Sequence, residues 1–212
     1  MFFAHRNHSF VGNYTTAHKP FQAESADKSI ADAIQKEEDP RIRMALAIGL
    51  GKTKTEAALN ALIYQLNIEQ DYRVRCNIVR AFANFDYEKV QATVFVALKD
   101  KSLPVGLTAA NFFLNNGTAR EASNYWRTAK DSVHWQIQLV LYSAAHRHMP
   151  NYFTTSKNSI NWELKQRYLN STNNYEKVAV IKALAEYGWN YRYIKQVAFP
   201  SDVPVIRTAS IE

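Results

Sequence analysis

The sequence predicts an all-α protein, an α–α superhelix assembled from helical hairpin repeats, and three observations carry that expectation. Apolar residues recur at i, i+3, i+4 and i+7 through most of the chain, the spacing of one helix face. Only six glycines and six prolines punctuate 212 residues, too few for the tight turns of a β-sandwich. Blocks of sequence also repeat: Asp39-Pro-Arg41-Ile-Arg43 is answered 32 residues later by Asp71-Tyr-Arg73-Val-Arg75. A period of this size with two apolar-faced segments per unit is the mark of stacked helix pairs.

Residues 1–27 match no unit and read as the end of an earlier helix, Met1 to His5, followed by a loop through Gly12, Asn13 and Pro20. Residues 28–212 then hold about five helix pairs, wound into a right-handed superhelix with a concave face. The first helix presents Ile42, Ala45, Leu46, Gly49 and Leu50 on one face. Asp39 suits its N-cap and Pro40 its first position, where a missing N–H costs nothing. Gly51 is expected to end this helix in the left-handed conformation, with Thr53 and Glu56 forming a capping box for the next. That partner helix carries Leu59, Leu62, Ile63 and Leu66.

The second unit gives Val74, Ile78, Ala81, Phe82 and Phe85, then Val90, Val94, Ala97 and Leu98. The third runs from Val105 to Phe113, breaks at Asn115-Asn116-Gly117 and resumes with Ala122, Tyr125, Trp126 and Ala129. The fourth is expected to start at Asp131 and to carry Ile137, Leu141, Ala144 and Ala145. A long connection from His146 to about Asn158 should follow, then a helix with Ile160, Leu164 and Tyr168. The fifth has Val180, Ala183, Leu184 and Tyr187, stopped by Gly188, and a short helix from Tyr191 to Val197. A sixth unit opens at Ser201 and ends inside its first helix, leaving Val205 and Ile211 without a partner helix and suggesting a piece of a longer protein.

The tetratricopeptide and ankyrin signatures are absent. The run from Asp39-Pro-Arg41-Ile-Arg43-Met-Ala45 to Leu50-Gly51 instead resembles the short bacterial HEAT-like repeats, and Asp71 to Ala81 looks like a second copy. The resemblance is strong over residues 39–100 and fades beyond, where Gly106 and Gln138 stand in place of the repeating arginine. Ala109 to Gly117, Tyr125-Trp126 and Trp135 to Tyr142 are similar to the HEAT-like region of large bacterial cyclophilin-type peptidyl-prolyl isomerases. That resemblance implies a scaffold or accessory domain, with the isomerase residues on a β-barrel elsewhere.

With 26 basic and 19 acidic residues the net charge is +7, and no run of five like charges occurs. Such a balance permits nucleic acid or an acidic protein as partner without demanding either. A single cysteine, Cys76, excludes an intrachain disulfide and a Cys-based zinc site. No stretch is long and apolar enough for a membrane span, and Met1 to Phe10 lacks the layout of a signal peptide, leaving cytoplasm and periplasm both open.

Gly51-Lys52-Thr53 mimics the tail of a phosphate-binding loop, but Leu46 occupies the position of its first glycine and the preceding run is helical, not a strand. The histidines His5, His8, His18, His146 and His148 lack a converging third ligand, so neither metal nor cofactor is expected. The candidate binding residues are Arg41, Arg43, Arg73, Arg75 and Arg80 with Trp126 and Trp135. The arginines read either as a ladder tying each unit to its neighbour's acid and helix-end carbonyls, or as a row of charge for an anionic partner. The tryptophans, Trp162 and Trp189 included, read first as core filling and second as a binding hot spot. Asp131 beside Trp126 and Trp135 would suit a HEAT-like alkylpurine DNA glycosylase, although an acid at a helix start is an ordinary cap. The expected function is therefore a non-catalytic scaffold binding a protein partner. Nucleic-acid binding is the first alternative and an accessory role in prolyl isomerisation the second.

Overall fold

A computed structural model describes residues 19–132 and 134–211; the expected segment Met1 to His5 and the loop through Gly12 and Asn13 lie outside them, whereas Pro20, read as part of that loop, stands at the start of a helix. Among the described residues the chain is all-α, with twelve α-helices and no strand. They are α1 (Lys19–Lys36), α2 (Pro40–Thr53), α3 (Glu56–Ile68), α4 (Tyr72–Ala81), α5 (Tyr87–Ala97) and α6 (Leu103–Asn116). There follow α7 (Ala122–Asp131), α8 (Trp135–His148), α9 (Thr154–Asn170), α10 (Asn174–Ala185), α11 (Tyr191–Val197) and α12 (Pro204–Ala209).

The even-numbered helices form one continuous layer in which α2, α4, α6, α8, α10 and α12 pack in series. Small residues make that close stacking possible: Ala47 and Gly51 on α2, Ala81 on α4, Gly106, Ala109 and Ala110 on α6, Ala144 and Ala145 on α8. The odd-numbered helices lie behind this layer, each against an adjacent even helix, and α1 packs on both α2 and α3. In the middle of the array Phe95, Phe113 and Tyr125, on α5, α6 and α7, join rings at 4.3 and 5.2 Å, so the core is continuous from the second unit into the third.

The Asp-Pro-Arg pattern works locally as read. Asp39 accepts a hydrogen bond from the Arg41 backbone N–H at 2.8 Å, and Asp71 does the same for Arg73. The elbow between α2 and α3 differs from expectation. Gly51 lies inside α2, where a Cβ would stand 2.8 Å from the Ala81 Cβ, so its role is close helix approach and not a left-handed turn. The left-handed residue is Lys54, with φ of 59°. Thr55, not Thr53, caps α3 through the Ala58 N–H, while Thr53 Oγ1 donates back to the Leu50 carbonyl.

Two further boundaries move. Asp131 closes α7 instead of opening the next helix, and α8 starts at Trp135 after His134. α8 also continues through His146 to His148, which shortens the following connection to 149–153. His146 extends the buried row Leu139, Tyr142, Ser143, so the helix persists because its face remains covered.

Candidate functional site

Four of the five candidate arginines are held by carboxylates. Arg43 binds Glu69 through Nε and Nη2, both at 2.8 Å, and its Nη1 reaches the Glu37 and Glu38 carbonyls that follow α1. Arg75 repeats this one unit later, binding Asp100 at 2.9 and 3.0 Å and the Glu69 and Gln70 carbonyls after α3. Each acid also accepts backbone N–H groups leading into the next even helix, Glu69 from Gln70 and Asp71, Asp100 from Ser102. Burial alone would raise the Glu69 carboxyl, but the bonds from Arg43, Asp71 and Gln65 outweigh it and hold the group below its usual range.

This is a ladder of bidentate pairs linking consecutive units. It changes at Gly106, and in the fourth unit Gln138 donates to the Ser132 carbonyl and accepts from Arg167 at 2.7 Å in place of a carboxylate pair. Arg41 and Arg73 instead fold back on their own N-cap acids, Asp39 and Asp71, at 2.8 and 2.6 Å. The Arg73 side-chain hydrogen bond, with help from its backbone N–H, pushes Asp71 down to about 2. Arg80 is exposed and bonds the Asn77 side chain.

Trp126 and Trp135 are half-buried against the core. Trp126 donates to Glu163, which also accepts from Tyr142 at 2.6 Å and pairs with Lys130 at 2.8 Å. Lys130 lies over the Trp126 ring. Asp131 is exposed at the end of α7 and forms no acid-in-aromatic cleft with these two rings. Trp162 and Trp189 contradict the core-filling reading, with 65% and 83% of their surface exposed.

Two openings were not foreseen. The larger, about 1060 Å³, lies between α3, α5 and α7, over Ile137 and Leu141 of α8. Ile63, Leu66, Phe95, Val96, Ile137 and Leu141 give it apolar walls, and Asn67, Thr93, Thr128, Asp100 and Asp131 a polar margin. The second, about 730 Å³, sits where α8 and α9 meet the turn after α10. Buried His146 and Lys157 line it together with Arg147, Asn151, Glu186, Tyr187 and Trp189. Lys157 could have been singled out from spacing, since it falls on the same face as Ile160, Asn161 and Leu164.

Among the described residues no helix is long and apolar enough to cross a membrane, and no group of three metal-ligating side chains converges. No family model matches the chain, and no curated protein matches it.

Proposed function

We propose that this chain is a HEAT-like scaffold that binds a protein partner through the cleft around α5. The observation that carries the proposal is the cleft itself. Val96 carries a largely exposed apolar side chain on α5, beside walls of Ile63, Leu66, Phe95 and Leu141. Apolar walls with a rim of threonine, asparagine and aspartate match the anatomy of a protein interface, an apolar centre within a polar border. The occupant this fits is a partner segment with two or three apolar side chains and a donor or cation for Asp100 and Asp131. A small molecule would leave much of so open a volume wet.

The arginine geometry favours this reading over nucleic acid. Charges already in bidentate contact with carboxylates are poor phosphate ligands, because each new contact must first break an old one. A site-specific photo-crosslinker at Val96, compared with the same group at exposed Ser123 on α7, tests the proposal in the cells that make the protein. A discrete protein adduct at Val96 that disappears with Leu66→Glu is the expected result. Adducts to nucleic acid, or identical patterns at both positions, would overturn it. The resemblance to isomerase-associated repeats adds that the chain by itself should show no prolyl isomerase turnover.

A further inference from the structure

The pocket between α8, α9 and the turn after α10 holds two polar groups whose chemistry is incomplete. Lys157 is 3% exposed, yet no carboxylate pairs with it among the described residues. Its Nζ donates to Asn151 Oδ1 at 3.0 Å and lies 4.4 Å from the centre of the Tyr187 ring. Glu186, the carboxylate in the pocket wall, is held by Arg147 through two bonds of 2.8 and 2.7 Å. Those two charges cancel, so the pocket presents one uncompensated positive charge. Holding a buried cation of this kind without an anion beside it is unfavourable.

His146 supplies the second group. It is fully buried, and its Nδ1 stands 2.9 Å from the Ala183 carbonyl, an acceptor, so Nδ1 carries the proton. Burial above all, then the Lys157 charge, holds the ring below its ordinary value against the backbone contacts from Ala183 and Lys157, so Nε2 is an acceptor, and among the described residues it makes no hydrogen bond of ordinary length. The other titratable groups around this ring are Arg147 and His148 on its own helix and Glu186 and Tyr187 after α10. His148 is engaged with the Phe113 and Leu114 carbonyls.

We infer that this pocket binds a carboxylate with a hydrogen-bond donor beside it, the group presented by the free C-terminus of a peptide or by a small N-acyl amino acid. The carboxylate completes Lys157, and the adjacent N–H completes His146 Nε2. A monoanion matches the single open charge, whereas a phosphate dianion would exceed it. Met149, Pro150, Tyr187 and the exposed Trp189 ring offer apolar surface for the last side chain. The pocket shares no wall residue with the cleft around α5, so either assignment can fail without the other.

The test uses the whole chain labelled with ¹⁵N-histidine and four probes: acetyl-Gly-Gly-Phe and acetyl-Phe, each as free acid and as amide, with inorganic phosphate as competitor. Calorimetry should show binding of the acids and loss of about tenfold or more in affinity for the amides, the scale of one hydrogen bond to a charged group. The His146 Nε2 resonance should shift on saturation with an acid. Tighter binding of the tripeptide acid than of acetyl-Phe identifies a peptide terminus; equal binding identifies a small acid. Lys157→Met, which keeps the volume, should weaken the acids by the same factor. Amides that bind as well as acids, displacement by phosphate at lower concentration than the acids, or an unmoved His146 resonance would each overturn the assignment. The acid-against-amide comparison stands even if the variant does not fold.

Discussion

Gly49 and Gly51 lie two residues apart in α2 and should respond to alanine in opposite directions. Gly51 faces α4: an added Cβ would stand 2.8 Å from the Ala81 Cβ, 3.2 Å from its Cα and 3.3 Å from its carbonyl oxygen. Carbon atoms in ordinary contact sit about 3.5–4.0 Å apart, so α2 and α4 would have to separate by most of an ångström. The atoms met are backbone and a Cβ, which cannot turn aside. Overpacking of this kind costs about 1–3 kcal/mol, partly offset by the roughly 0.5–1 kcal/mol that alanine gains over glycine inside a helix. Gly51→Ala should therefore lose about 1–2 kcal/mol. At Gly49 a Cβ meets nothing within 4 Å, so only the helix-forming gain remains and Gly49→Ala should gain about 0.5–1 kcal/mol. Urea denaturation at constant slope reads both values, and thermal midpoints should lie about 4–8 °C apart for a chain of this size. ATP should shift neither midpoint. A Gly51→Ala midpoint at or above wild type, or both variants moving together, would refute the close approach of α2 and α4.

Arg75→Met should cost about 3–5 kcal/mol in chemical denaturation, because it strands Asp100 and two carbonyls in a part-buried site, whereas Arg41→Met should leave the denaturation midpoint nearly unchanged, its pair with Asp39 being exposed. Tyr125→Phe leaves the Thr118 N–H and the Tyr87 hydroxyl without their shared partner, for an expected loss of about 1–3 kcal/mol. His146, held below its ordinary 6.5 by burial, contributes stability that is whole above pH 6.5. Below that value the unfolded chain takes up the proton first, so stability should fall as pH drops through the folded-state value. His146→Gln should flatten this part of the pH profile, and an unchanged slope would show that another group sets it.

How much of this was legible beforehand follows from the range of each interaction. The all-α class, the N-caps at Asp39 and Asp71 and the buried row of α4 depend on neighbours within a turn or two, and periodicity reports those directly. In α2, by contrast, the buried row is Ala47, Leu50 and Gly51, and Ile42 and Ala45, read as core-facing, are exposed. The matched arginines were legible as a repeat, but their partners Glu69 and Asp100 lie 26 and 25 residues away, and only packing brings them together. Gly51 was visible as a glycine in a loop-like tripeptide, yet its reason is Ala81 on another helix. Trp162 and Trp189 share an apolar character with Trp126 and Trp135, and nothing local tells a ring that finds a groove from one that faces water.

The sequence by itself determined that this chain forms helices, where most of them begin, and that they repeat. Tertiary structure alone decided that the even-numbered helices stack through alanine and glycine, and that α3, α5 and α7 leave an apolar cleft between them. It also placed Lys157 and His146, from separate helices, in one pocket. The physical reason is that helix formation sums short-range preferences along the chain. Clefts, ion-pair ladders and stranded polar groups arise from how finished helices fit together.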